Sequence, residues 1–296
     1  MTTNKQFPYT LFQTILLIIS GLVIIAPLVL LEKPLNQFIS GKTFNILLGT
    51  FGILFIWGVA CFINWKKGNK VRYSFNVQLN STLLLYSIFI IIAFQIGINP
   101  FIGSGIRKLL NIHTQIDNSF QYTFFTLVSM ILLGPILEEL LFRGTILKGF
   151  LSHYSVPKAI GYSSILFGLI HVLPVAVVGA LLIGLYLGWI YFKTRSIGIT
   201  ILLHITANLT GLVVGYSRYR LTDRLVWFNI YGKYSLLFIT GCSILCITNV
   251  SQINKRVKNK QIREKKQHVN LVMTLIITIL AVNPKHKIHA TGQRYK

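Results

Sequence analysis

The chain has 296 residues, of which 53% are hydrophobic and 12% charged, and its mean hydropathy is +0.64. An average soluble domain carries roughly 25% charged residues, so this composition excludes a chain whose surface faces mostly water. The net charge is +23, from 29 Lys and Arg against 6 Asp and Glu; in a soluble protein that would point to nucleic acid. Here the basic residues stand mostly in short segments between apolar stretches, where they set membrane orientation, and no nucleic-acid partner is expected.

In chain order the apolar stretches run over 11–31, 44–65, 79–98, 122–147, 159–172, 175–192, 197–215 and 234–250. A helix needs roughly 20 residues to cross a hydrocarbon core. The expected fold is therefore all-α, a polytopic membrane bundle of about eight transmembrane helices. The first stretch is too long for a signal-peptide core and lacks a clear small-residue cleavage site, so it reads as a retained span. The fourth carries three charges. The fifth is short, and only Leu173-Pro174 separates it from the sixth. Proline removes a donor and ends or kinks a helix, so Ser164 to Phe192 forms either a tight hairpin of two helices or one broken helix.

Alternate placement of the connecting segments puts Lys5, Lys66, Lys67, Lys70, Arg72, Lys148, Lys158, Lys193, Arg195 and the basic run from Lys255 to Lys266 on one side. The other side holds Lys33, Lys42, Arg107, Lys108, Arg218, Arg220, Arg224 and Lys233. The excess on the first side predicts a multi-pass protein of the cell membrane with its N-terminus in the cytoplasm. Asn254 to His268 is strongly basic and is followed by a twelve-residue apolar run, Leu271 to Val282. That run is short for a span and suits a re-entrant or interfacial helix. The basic tail is expected either to lie on anionic lipid or simply to enforce topology. The three cysteines, Cys61, Cys242 and Cys246, all fall in apolar segments and suggest no disulfide or zinc framework.

Ionisable groups inside a span cost on the order of 2.5–3.5 kcal/mol each, so each is a candidate functional residue. Two of the six acidic residues are adjacent in the fourth stretch, in Gly134-Pro135-Ile136-Leu137-Glu138-Glu139-Leu140-Leu141-Phe142-Arg143. Glu139 and Arg143 are four apart on one helical face, the spacing of a structural ion pair. Glu138 is turned about 100° away and is free to face another neighbour. A glutamate in an apolar cavity can act as a general base or acid; alternatively both carboxylates only brace helices. His171 closes the fifth stretch, and His204 and Asn208 share a face of the seventh. A lone histidine in a helix is usually a packing residue, but these groups need polar partners in hydrocarbon, and the nearest are each other.

Glu138-Glu139-x-x-x-Arg143, Phe167-x-x-x-His171 and His204-x-x-x-Asn208, in this order, resemble the motifs of the CPBP family. That family comprises the type II CAAX prenyl endopeptidases and the bacteriocin-processing and self-immunity (Abi) proteins. The resemblance spans roughly Leu133 to Gly211. It implies an intramembrane endopeptidase, its site sunk in the bilayer and open to the cytosol, acting on a peptide or membrane-protein substrate. By the same resemblance Glu138 activates water with help from His171, while His204 and Asn208 stabilise the oxyanion. The family is often labelled metalloprotease; a divalent metal such as zinc would have Glu138, His171 and His204 as ligands.

On this reading the chain divides into N-terminal transmembrane helices (1–121), a CPBP-like catalytic core (122–215), and a last helix with the basic tail (216–296). Two rivals remain. One is a non-catalytic immunity or scaffold protein of the same fold; the other is a transporter using the same residues as a proton relay, against which the lack of an internal repeat argues. The Ile-, Asn- and Lys-rich composition resembles that of an AT-rich bacterium. A peptide precursor or membrane protein is then a more natural substrate than a prenylated tail.

Overall fold

A computed structural model of the protein describes residues 6–76, 81–112 and 123–220, with scattered helical positions between 237 and 267. The chain divides into two compact units, 1–249 and 250–296. The site and the helices named below belong to the first. The run 271–282 and most of the basic tail lie outside the described residues.

The described structure is all helical. Helix α1 (Leu11–Leu28) continues through a 3-10 turn and a short helix to Leu35. It is followed by α2 (Gly41–Lys66), α3 (Ser81–Leu109), α4 (Phe124–Phe150), α5 (Val156–Leu169), α6 (Pro174–Thr194) and α7 (Ile197–Arg220). Six of the seven are long and apolar enough to cross a membrane. Hydroxyl side chains start three of them: Thr10, Ser40 and Thr123 accept the backbone N–H three residues on, which satisfies a donor that the helix leaves open.

The expectation of eight spans is corrected in one place. The fifth stretch is a helix of only 14 residues, about 21 Å long, too short to cross alone. Residues 170–173 turn it back into α6, whose first residue is Pro174, so the stretch is a hairpin and not one broken helix. Proline suits that position because its missing N–H would have no intrahelical partner. The two legs pack closely: a Cβ on Gly168 would stand 2.9 Å from the Val177 carbonyl. Small residues of this kind let membrane helices approach. The eighth stretch, 234–250, is only partly within the described residues and gives no candidate span there.

Among the described residues three π-helical segments interrupt the long helices: Phe94–Ile98 in α3, and Ser129–Leu133 and Phe142–Leu147 in α4. A π turn shifts the i→i−4 pattern and leaves carbonyls in need of donors. Part of that need is met from the N-terminal segment. The Gln6 side-chain amide donates to the carbonyls of Gly144 and Thr145 at 3.1 and 3.4 Å. Asn64 holds this segment by a bond in each direction with the backbone of Phe7, at 2.8 and 2.6 Å.

The linker after α2 reaches the same end of α4. The Tyr73 hydroxyl accepts from Trp57 Nε1 at 2.8 Å and meets Thr145 Oγ1 at 3.3 Å, and its ring occupies the place where a Cβ on Gly144 would stand. Burial pushes the Tyr73 phenol up to about 12, with the Thr145 and Trp57 bonds opposing the shift. Lys148 Nζ donates to the Arg72 carbonyl, and the Ile197 amide to the Ser74 carbonyl, both at 2.8 Å. Beneath these segments Phe142, Ile146, Leu147 and Phe150 form the driest part of the core, all at 0% exposure.

Candidate active site

Glu139 and Arg143 are the most deeply buried charges of α4, at 0% and 1% exposure. Arg143 Nη1 donates to Glu139 Oε1 at 2.6 Å, and its Nη2 reaches the Gly184 carbonyl on α6 at 3.2 Å. The guanidinium lies 4.5 Å from the Phe167 ring centroid on α5. A guanidinium suits this setting because its planar fork serves several acceptors while its face stacks on an aromatic ring.

Glu139 has a second partner that the i,i+4 spacing does not reveal. His204 Nδ1 on α7 stands 2.8 Å from Glu139 Oε1. A carboxylate accepts, so Nδ1 carries the proton, and Nε2 points away from Glu139. That nitrogen lies 3.7 Å from Glu138 Oε2. Glu139 thus stands between Arg143 and His204 and fixes the tautomer and orientation of the imidazole. Glu138 faces away from Arg143 and toward the imidazole; its side chain keeps 15% exposure. The Glu138 Oε2 atom is buried and forms no hydrogen bond within the protein.

The remaining two residues reach the same space from other elements. His171 follows the end of α5 and its Nδ1 is 2.8 Å from the Phe167 carbonyl. A carbonyl only accepts, so this bond places the His171 proton on Nδ1 and leaves Nε2 as an acceptor in the neutral ring. Asn208, one turn after His204, donates from Nδ2 to the Met130 carbonyl at 2.8 Å, inside the first π segment of α4. Glu138, His171 and Asn208 all line one cavity of about 580 Å³, between α2, α3, α4, the α5–α6 turn and α7. His204 is not among the residues that line it; it is buried behind Glu138, with Nε2 3.7 Å from Glu138 Oε2. No direct hydrogen bond joins Glu138 to His171.

Phe167 connects these parts. Its ring packs edge-on against Phe142, His171 and His204, at centroid distances of 5.1, 5.0 and 5.6 Å. The turn beyond His171 is strained: Val172 has φ 58°, a left-handed conformation that a β-branched residue rarely adopts. Strain of this sort persists only where its surroundings hold it in place.

The cavity also contains polar groups that reading the sequence did not single out: Asn45, Thr50, Ser129 and Gln95. Gln95 lies in the π segment of α3; its amide donates to the Ala207 carbonyl at 2.8 Å and its oxygen accepts from Asn99 at 2.7 Å. A lone glutamine in an apolar span was the available signal, and neutrality made it easy to pass over.

The zinc ligand set of Glu138, His171 and His204 does not fit. Both imidazoles give Nδ1–H to a protein acceptor and keep Nε2 free, an arrangement that by itself would suit a metal ligand, but the three side chains are not gathered. Among the described residues no group of three or more His, Cys, Asp or Glu is gathered to hold a metal ion. The structure supports no step through such an ion.

Fold and site together define a class: a multi-pass membrane protein with a carboxylate–histidine site sunk among its helices. Residues 120–210 match the family described as type II CAAX prenyl endopeptidase Rce1-like, so this segment is a CPBP-family domain, and that membership implies an intramembrane protease. No curated protein and no solved structure matches the sequence.

Proposed function

We propose that the chain is an endopeptidase that hydrolyses a peptide bond within the membrane, with Glu138 as the base that activates water. The observation that carries this is the position of Glu138. Its carboxylate is turned from Arg143, has one buried oxygen without a hydrogen bond, and lies on a cavity shared with His171 and Asn208. A general base must reach a water and be placed near the scissile carbonyl. His171, with Nε2 as acceptor, assists in holding that water.

Stabilising the tetrahedral intermediate requires donors aimed at the developing oxyanion. Asn208 has a second amide N–H beyond the one given to Met130. His204, fixed by Glu139 through Nδ1, donates Nε2–H to the oxyanion as an imidazolium whose second proton comes from bulk solvent before substrate binds and stays on the ring through the cycle. The leaving amine is protonated by Glu138 after it has removed the proton from water, so the carboxylate is regenerated. Glu139 and Arg143 act indirectly, by holding His204 and the end of α4. The N-terminus is cytoplasmic on the balance of basic residues, and the basic tail rests on anionic lipid.

The test compares peptides in membranes of cells carrying the wild-type chain with those carrying Glu138→Gln. The variant should fold and insert at wild-type level, and a defined set of cleavage products should vanish. Persistence of every product, with the variant inserted and stable, would overturn the reading and leave a non-catalytic scaffold.

A further inference from the structure

Three cations meet at the end of the bundle where α2, α4 and α6 finish. Lys148 stands in the last turn of α4, Arg195 directly follows α6, and Arg72 lies in the linker after α2. The linker ties these places together. Lys148 Nζ donates to the Arg72 carbonyl, and the Ile197 amide at the start of α7 to the Ser74 carbonyl, both at 2.8 Å. A Cβ on Gly198 would stand 2.8 Å from the Phe75 carbonyl, so the linker lies directly on the turn between α6 and α7. Arg195 and Arg72 are both near enough for their charges to repel the Lys148 ammonium.

Nothing in the described structure neutralises this cluster. Among the described residues the carboxylates are Glu32, Glu138 and Glu139. Glu32 lies at the opposite end, in the short helix after α1. Glu139 stands roughly 14 Å back along α4 from Lys148, at 1.5 Å per residue, and is already held by Arg143 and His204. The guanidinium groups of Arg72 and Arg195 form no ion pair or hydrogen bond among the described residues. Lys148 has given one of its three N–H donors to Arg72 and keeps two. Arg195 also occupies a left-handed capping position, φ 55°, which glycine ordinarily fills. An arginine there holds its charge in place against backbone strain. Its guanidinium lies 5.2 Å from the Phe192 ring centroid, which helps to fix its direction.

We propose that Arg72, Lys148 and Arg195 bind the phosphate group of an anionic phospholipid headgroup. Planar guanidinium forks and an ammonium with spare donors are the groups that recognise phosphate. The level of the cluster selects lipid over free phosphate. Lys148 and Arg195 stand at the ends of candidate spans that close at Phe150 and Thr194, where headgroups lie. Phe75 in the same linker and Trp65 at the end of α2 are 56% and 72% exposed, aromatic side chains of the kind that mark a membrane interface. The site is separate from the basic tail, and it does not depend on the peptidase reading.

The test is native mass spectrometry of the purified full chain in detergent micelles that hold equal amounts of phosphatidylglycerol and phosphatidylcholine. The wild-type chain should retain phosphatidylglycerol in preference. Arg72→Gln and Arg195→Gln should each lower that retention about fivefold, and Arg195→Lys should keep most of it. Lys158→Gln, which removes an exposed cation at the same end, should leave it nearly unchanged. Both arginines are exposed, so their replacement leaves the core intact; should Arg195→Gln still fail to fold, Arg72→Gln gives the same reading. Equal retention of the two lipids, or a loss from Lys158→Gln equal to that from Arg195→Gln, overturns the inference, because either shows diffuse surface charge and no site. Release of the phosphatidylglycerol by millimolar inorganic phosphate would overturn the lipid assignment and make free phosphate the ligand.

Discussion

Glu139 and Arg143 form a buried ion pair beside the proposed base Glu138. Truncating either leaves its partner charged and dry, which costs about 3–5 kcal/mol for a buried pair. Glu139→Ala and Arg143→Ala should therefore both lower the melting temperature in detergent or nanodiscs. Melting temperatures equal to the parent's would show that the pair is not a structural element. Phe167→Ala should cost a similar amount, about 3–5 kcal/mol, because its ring fills the space between Arg143, His171 and His204. Chelation with EDTA should leave proteolysis unchanged, since the donor set does not assemble a metal site; loss of activity restored by added zinc would contradict this. The Glu139–Arg143 pair was legible in the sequence because both ends lie on one helix and the spacing fixes their relation. The Glu139–His204 bond was not, because helical periodicity says nothing about which faces of α4 and α7 meet. The strain at Val172 was equally hidden: valine is an ordinary residue until its backbone has to turn left-handed.

At the scale of elements, the segments outside the core motifs support it. Tyr73 joins the 67–76 linker to α2 through Trp57 and to α4 through Thr145. Tyr73→Phe keeps the ring against Gly144 and removes the acceptor of the Trp57 N–H, leaving a donor without its partner. That should cost about 1–3 kcal/mol, read as a lower melting temperature while Tyr73→Ala falls further through lost packing. No change in the phenylalanine variant would show that the hydroxyl does not hold the linker. Hydropathy placed α1, α2, α4, α6 and α7 within about five residues because long apolar runs have few alternatives in hydrocarbon, but it ended the third stretch at 98 where α3 runs on to Leu109. It counted α5 among the spans but left open whether it was one leg of a hairpin or part of a broken helix, since an apolar run of moderate length does not distinguish them. The π segments were beyond reach, because their residues differ in no obvious way from those of an α turn.

For the whole molecule, the consequence of α5's length lies in the lipid. A helix of about 21 Å cannot match a hydrocarbon core of about 30 Å, so roughly 10 Å of bilayer beside it faces no helix of its own length. Leu169, Val172 and Leu173 at its end are 58%, 79% and 69% exposed, apolar surface that acyl chains must reach. Lipids there must thin or splay, at a cost of fractions of a kcal/mol per Å of mismatch. His171 sits at the end of that short helix, so bilayer thickness bears directly on the residue expected to hold the attacking water. Reconstitution across phosphatidylcholines of increasing chain length should give highest activity in thin bilayers and a progressive fall in thick ones, with Glu138→Gln inactive throughout. A flat profile would show that the hairpin is shielded from lipid. In a living membrane the same hydrophobic mismatch would make the protein a reader of its surroundings, active where the bilayer is thin and idle where it is thick.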